Sequence, residues 1–295
     1  MKTVRPNQLA LCTLLALCVA TPALAGSTSG TFKLDDLEVK PTEAAAFRVR
    51  DMFNPRQKQT YVMLTNKAVD SAAITASMDP YTTAINDPAA NVDHLTFSVD
   101  LDGKVTMNAK VGGTQYIDST GKIMGQQGSL VAECSENTAT RVACTIKSEK
   151  PVETDDGSWT LDVSFDSDVL ARPAGKPMAK DGGDPAKAMF ALAKAVGGYD
   201  LAAILALVTA EVGADFQRDY NTPEENLAWA KELLTMRIPK KAKVTGGEQV
   251  SDDHVLLEVE GEPWPDSKML YEVEMRLVDG TWRYANGSTV GMLRD

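Results

Sequence analysis

Residues 95–111 read LTFSVDLDGKVTMNAKV, and this stretch decides how the first half of the chain folds. Apolar and polar side chains alternate along it on both sides of the pair Asp102-Gly103. Alternation places successive side chains on opposite faces of a strand, and an Asp-Gly pair between two such runs strongly indicates a β-hairpin. The stretch therefore predicts two antiparallel strands with one apolar face and one solvent-exposed face.

Further alternating segments flank this hairpin. One runs through Cys134 and Cys144 around a turn at residues 137–140, and another covers residues 159–165 after an Asp-Asp-Gly turn. Residues 61–64 (YVML) indicate a buried strand, whereas the pattern of residues 73–86 is ambiguous. We expect residues 26–170 to form an all-β sandwich or half-open barrel of about seven to nine strands.

Residues 1–25 have the three parts of a secretory signal peptide: the cations Lys2 and Arg5, the apolar run 9–20, and Ala23-Leu24-Ala25 before Gly26. The apolar run is shorter than the roughly 20 residues that span a bilayer, which argues against an uncleaved anchor. A lipoprotein is disfavoured because Leu17 stands before Cys18, where such signals carry a small residue. We expect cleavage between Ala25 and Gly26, export to the periplasm or beyond, and no later transmembrane segment.

Two of the four cysteines lie in the predicted signal peptide, which leaves Cys134 and Cys144. A single cysteine pair in an exported chain predicts a structural disulfide, since redox-active pairs are more often closely spaced. The chain has no CxxC motif, and its two histidines, His94 and His254, are far apart in sequence. We therefore expect no metal site and no cofactor, because zinc requires three or four clustered ligands.

The net charge of -11 limits the classes of partner. Removal of residues 1–25, which hold two cations and no acid, lowers the charge to -13. Binding to nucleic acid or to anionic lipid requires clustered Lys and Arg, so we expect neither. The charge indicates a well-solvated surface on an exported protein.

Residues 171–185 (ARPAGKPMAKDGGDP) have the composition of a linker between two domains. Beyond them we expect helices at residues 186–196 and 201–209, the second capped by Asp200. Thr222-Pro223-Glu224-Glu225 predicts the start of a third helix through a capping box. Alternating segments then predict an antiparallel sheet, with strands at residues 242–249, 255–259 and 269–277 and a last hairpin at Asp279-Gly280.

This order of elements, closed by Asp279-Gly280-Thr281-Trp282-Arg283, resembles the nuclear transport factor 2-like (ketosteroid-isomerase-like) superfamily over residues 186–295. Its domains often end in such a turn followed by Gly-x-Trp-Arg. The resemblance implies an α+β cone with helices packed on a curved antiparallel sheet. It also implies a homodimer through the outer sheet face, which carries Leu270, Glu272, Glu274 and Arg276. The three charged residues of this set argue against an obligate apolar dimer. Residues 26–170 resemble no family that we can name.

The resemblance places a pocket between the concave sheet face and the helices. Four aromatic side chains would line it: Trp229, Tyr271, Trp282 and Tyr284. Isomerases of this fold pair an Asp base with a Tyr and a protonated Asp, and the candidates here are Asp215, Tyr220 and Tyr271. We place Asp215 and Tyr220 in a loop between helices. The inward stripe of the sheet carries no acid, which favours the interpretation of the aromatic residues as core side chains.

Other catalytic motifs are incomplete. Ser119 and Lys122 have the S-x-x-K spacing of β-lactamase-like enzymes, but they lie between strand-like segments and no KTG partner exists. His254 follows two aspartates and is expected to be exposed at the start of a strand, without a catalytic role.

Two functional hypotheses remain. The first is an exported bacterial envelope protein that acts as a non-catalytic binding or assembly module for a partner protein or a small apolar ligand. The alternative is a small-molecule isomerase or hydrolase that uses the pocket of the C-terminal cone, with fold resemblance as its only motivation.

Overall fold

A computed structural model describes residues 26–51, 54–123, 125–198, 200–218, 221–239, 241–264 and 267–293. The predicted signal peptide and the candidate residue Tyr220 lie outside the described residues. The described part of the chain is mostly β-structure, with eighteen strands and six α-helices. None of these helices is long and apolar enough to cross a membrane.

The first 170 residues contribute thirteen strands. These are β1 (Ser27–Leu34), β2 (Leu37–Val39), β3 (Glu43–Arg50), β4 (Lys58–Thr65), β5 (His94–Val99), β6 (Val105–Val111), β7 (Thr114–Ser119), β8 (Lys122–Ile123), β9 (Gln126–Gln127), β10 (Leu130–Asn137), β11 (Arg141–Ser148), β12 (Val152–Thr154) and β13 (Gly157–Leu170). Strands β3 to β7 form a curled half-barrel sheet by antiparallel pairing. A second sheet consists of β1, β2 and β10 to β13, and a short parallel contact between β13 and β3 joins the two.

The inner faces of the two sheets share one apolar core. Phe97 of β5 packs against Phe165 of β13 with ring centroids 5.8 Å apart. Phe32 of β1 stacks on Trp159 at 5.6 Å and lies 5.9 Å from Tyr116. Because these rings come from both sheets, burial of their apolar surface holds the sheets together.

The predicted hairpin at residues 95–111 is confirmed as β5 and β6. The Asp100 carboxylate accepts hydrogen bonds from the amides of Asp102 and Lys104, and Gly103 adopts φ +77° in the turn. The bond between Cys134 and Cys144 is also present, with sulfurs 2.04 Å apart, and it joins directly paired positions of β10 and β11.

The expectation of strands alone was wrong for residues 71–91. This segment, whose pattern was ambiguous, forms α1 (Ser71–Ala76), α2 (Pro80–Ile85) and a 3-10 turn (Pro88–Asn91). Each begins at an aspartate whose carboxylate accepts a backbone N–H of the first turn, namely Asp70, Asp79 and Asp87. These caps stabilise helices too short to show a periodic apolar pattern. The strand count also exceeds the expected seven to nine, because the short strands β2 and β12 pair within the second sheet and β8 and β9 pair with each other.

The remaining elements are β14 (Lys176–Pro177), α3 (Gly183–Gly198), α4 (Leu201–Leu207), α5 (Ala210–Phe216), α6 (Pro223–Arg237), β15 (Ala242–Ser251), β16 (His254–Gly261), β17 (Lys268–Val278) and β18 (Thr281–Leu293). Strands β14 to β18 form a five-stranded antiparallel sheet in sequence order. The helices cover one face of it and share an apolar core with that face. The helix-start predictions are confirmed: Asp200 caps α4, and Thr222 with Glu225 forms the capping box of α6.

The segment predicted as a linker, residues 171–185, is in contact with this sheet. Lys176 and Pro177 pair with β15 as strand β14, and Arg172 binds the carboxylate of Glu248 at 2.6 Å. Helix α3 already begins at Gly183. The path of the linker is therefore fixed by backbone pairing and by an ion pair.

Candidate functional site

The four aromatic residues expected to line a pocket belong to the core of the C-terminal part. Tyr271 and Tyr284 are 1% and 0% exposed, and Trp229 and Trp282 are half-buried against the same apolar cluster. None of them lines any of the four best-defined cavities in the described residues. Burial raises the pKa of Tyr284 to about 12, although the nearby Arg237 opposes this effect. The aromatic residues therefore act as packing groups in this structure.

The structure does not bring the candidate catalytic residues together. Asp215 lies in helix α5 and is exposed, which corrects its expected place in a loop. The prediction of a loop was wrong because α5 is a short helix whose N-cap residue, Thr209, makes no side-chain capping hydrogen bond. Tyr271 is enclosed between sheet and helices, where burial raises the pKa of its phenol. An exposed carboxylate and a core phenol do not form an acid–base pair around a substrate.

A cleft of about 1180 Å³ lies between the two halves of the chain. One wall consists of β3, β4 and the helices α1 and α2. The other wall consists of the outer face of the five-stranded sheet, from β15 to β18. We call this space the cleft.

Apolar atoms make up most of the exposed surface of the cleft, although each wall also carries charged and polar side chains. On the first wall, the ring of Tyr81 meets that of Tyr61 edge-on at 5.0 Å, and Tyr61 also contacts Phe47 at 5.4 Å. Burial raises the pKa of Tyr61 far above its ordinary value, so its phenol stays neutral. The second wall contributes four apolar side chains: Leu256, Met269, Val290 and Met292.

Arg50 bridges the two walls. Its Nε donates to Glu272 Oε1 at 2.8 Å, and its Nη2 donates to Glu258 Oε2 at 2.9 Å. Glu258 and Glu272 are directly paired across β16 and β17, so their charges would repel each other without a shared cation. A third N–H of Arg50 donates to the carbonyl of Pro55 at 3.0 Å. The guanidinium thus closes a network of charge-assisted hydrogen bonds within the cleft.

Two further ion pairs flank this bridge. Arg56 binds Glu260 at 2.9 Å, and Arg172 binds Glu248 at 2.6 Å. Three arginines from the first 172 residues therefore hold glutamates of the five-stranded sheet. On the outer sheet face, Glu272 is therefore bound from within the chain, and Leu270 is 1% exposed. The homodimer through this face stays a prediction.

The sequence predictions missed the cleft and, apart from Glu272 on the outer sheet face, its charged residues. The two walls are far apart in sequence, since Arg50 and Glu272 are separated by 222 residues. A usable signal was nonetheless present. Arg48 and Arg50 alternate at the end of β3, after an apolar run, and Glu258 and Glu260 alternate along β16. Such complementary stripes indicate two faces that meet.

No protein-family model matches the chain, and no curated protein is similar to it in sequence. The resemblance of residues 186–295 to the nuclear transport factor 2-like superfamily therefore stays a prediction.

A buried histidine lies beside the cleft wall. His254 is 6% exposed, not exposed as predicted, because strand β16 begins at this residue and pairs it with Arg276 of β17. Its Nε2 lies 3.0 Å from Glu274 Oε1, at an angle that does not satisfy hydrogen-bond geometry, while Arg276 binds the same oxygen at 2.7 Å. Burial lowers the pKa of His254 and Arg276 lowers it further, against the opposing effect of Glu274.

Because of His254, we expect the folded chain to lose stability in mild acid. The pKa of His254 is lower in the folded chain than in the unfolded chain, so the unfolded chain binds the proton first as the pH falls. The neutral imidazole of His254 therefore contributes its full stabilising effect above about pH 6.5. Below that pH the free energy of unfolding falls by at most about 1.4 kcal/mol per pH unit. Urea unfolding at about pH 7.5 and about pH 5.5 measures this change.

The matched variants are His254→Gln and His94→Gln. We expect His254→Gln to show a smaller difference between the two pH values, and His94→Gln to keep the wild-type difference. An unchanged difference in His254→Gln would show that other groups cause the pH dependence.

Proposed function

We propose that this protein is an exported, non-catalytic binding protein of the bacterial envelope that holds a small, mostly apolar ligand in the cleft. The cleft itself carries the proposal. Its volume of about 1180 Å³ is somewhat above the usual size of ligand sites, about 300–1,000 Å³, so it has room for a small molecule; such sites combine apolar walls with a few polar groups. The alternative of an isomerase or hydrolase gains no support from an exposed Asp215 and a core Tyr271.

We also propose that the two walls belong to two domains, residues 26–170 and 186–295, and that the second is a cone of the nuclear transport factor 2-like type. Separate apolar clusters in the two halves support the division. Helices packed on one face of an antiparallel sheet support the cone. Ligand sites occur preferentially between domains, which agrees with the position of the cleft.

Export is the third part of the proposal. The composition of residues 1–25 and the Cys134–Cys144 bond support it. Strand β1 begins at Ser27, directly after the proposed first residue of the mature chain, Gly26. The Gly26 nitrogen donates to the carbonyl of Ala44 at 2.9 Å, and an α-ammonium group after cleavage keeps a donor at this place.

The test is to purify the chain from the envelope without detergent and to measure it by native mass spectrometry, alone and with the neutral apolar dye N-phenylnaphthylamine. We expect a chain that starts at Gly26 and carries a small molecule or binds the dye. Ser288→Trp fills the cleft and should abolish binding. The control Thr281→Trp, at the exposed start of the same strand, should not. A wild-type chain that neither carries a ligand nor binds the dye would refute the proposal.

A further inference from the structure

We infer that the ligand of the cleft carries one anionic head group, a carboxylate or a phosphate, and that Arg48 binds it while the apolar body lies between the walls. This inference rests on the proposed binding function and specifies the chemistry of the ligand. It follows from the way in which the charges that line the cleft are paired.

Arg48 differs from the other arginines of the cleft in its partners. Its Nη2 donates to the carbonyl of Lys58 at 2.6 Å, and its Nη1 donates to Thr60 Oγ1 at 3.1 Å and to the carbonyl of Thr138 at 3.4 Å. All three acceptors are neutral. Among the described residues, Arg48 forms no ion pair, whereas Arg50 and Arg172 each bind a carboxylate.

The carboxylates that line the cleft are already engaged. Glu258 and Glu272 share Arg50, and Asp79 accepts the backbone N–H of Thr82 as the cap of α2. The fourth carboxylate of the cleft, that of Glu248, is bound by Arg172.

Glu248 marks the end of the cleft at which positive charge collects. Burial raises its pKa, but hydrogen bonds from Arg172 and from the amide of Gly175, together with the charges of Arg172 and Lys58, outweigh this and lower the pKa. Lys58 therefore lies near Glu248, and the backbone carbonyl of Lys58 holds Arg48. Arg172 and Lys58 thus act on one carboxylate at this end of the cleft, and Arg48 is bound to the backbone of Lys58.

Partial burial of a charged guanidinium that has no counterion raises the free energy of the folded chain. Burial lowers the pKa of Arg48, which means that this environment disfavours the charged form of its side chain. An anionic head group would supply the missing counterion through charge-assisted hydrogen bonds. The net charge of the whole chain, -11, disfavours ligands with several negative charges. A single acidic head on an apolar body fits both the one cleft arginine that forms no ion pair in the described residues and the apolar part of the walls.

The experiment measures displacement of N-phenylnaphthylamine by four amphiphiles of equal chain length: dodecanoate, dodecyl phosphate, dodecanol and dodecyltrimethylammonium. We expect the better of the two anions to bind at least about tenfold more tightly than dodecanol, and the cation to bind most weakly. The two anions distinguish a carboxylate ligand from a phosphate ligand. Added salt should weaken binding of the anion and leave dodecanol unaffected.

Variants locate the head group. Arg48→Gln should remove the preference for anions and keep the affinity for dodecanol, and Arg48→Lys should keep part of the preference. The control Arg141→Gln removes an arginine outside the cleft, on β11, and should keep the whole preference.

Equal binding of dodecanoate, dodecyl phosphate and dodecanol to the wild-type chain would overturn the inference and leave the binding function standing. A preference that survives Arg48→Gln in a folded variant would overturn the role of Arg48. Failure of the dye and all four amphiphiles to bind would refute the binding function itself.

Discussion

Replacement of Phe32 by alanine is expected to lower the free energy of unfolding by about 3–5 kcal/mol. Phe32 is 0% exposed, and its ring lies between Trp159, at 5.6 Å, and Tyr116, at 5.9 Å. The substitution removes the aromatic contacts and leaves a cavity that rigid strands on both sides cannot fill. Urea unfolding followed by circular dichroism measures the loss.

The control is Leu37→Ala on the neighbouring strand β2. Leu37 is 40% exposed, so its truncation is expected to change stability by less than about 1 kcal/mol. Similar losses in the two variants would show that β1 and β2 do not pack as described.

The elements that the sequence predicted correctly are those specified by neighbouring residues. The hairpin at residues 95–111 depends on alternation and on an Asp-Gly turn, and helix α6 depends on a capping box formed by Thr222 and Glu225. The cysteine pair was predictable because the ring between Cys134 and Cys144 is short and closes across one hairpin. Local patterns of this kind do not require knowledge of the rest of the chain.

The predictions that were wrong depend on distant contacts. His254 was expected to be exposed because two aspartates precede it, but pairing of β16 with β17 buries it beside Glu274 and Arg276. The contacts of the outer sheet face were not predicted, because Glu272 binds Arg50, which lies 222 residues earlier in the chain. No single stretch of sequence predicts the cleft for the same reason, since its charged stripes lie on strands that are far apart in sequence.

Reversal of one charge tests whether these distant contacts hold the walls of the cleft together. Arg50→Glu is expected to lower the free energy of unfolding by about 3 kcal/mol and to weaken dye binding in the cleft. The Arg50 side chain is 20% exposed, as is that of Glu272. The variant removes two ion pairs, leaves Glu258 and Glu272 without their shared cation, and adds a third carboxylate beside them.

Arg56→Glu is the matched control, because it makes the same change in a pair with the same strand. Arg56 binds Glu260 of β16, but its side chain is 69% exposed, and exposed pairs contribute only about 0–1 kcal/mol. A larger loss of unfolding free energy in Arg50→Glu than in Arg56→Glu would show that burial of the Arg50 bridge, rather than the sign of the charge on this surface, determines its contribution to stability. Equal losses would mean that the walls meet through long-range attraction alone. In that case the cleft would open in high salt, and its affinity for an apolar dye would fall with ionic strength.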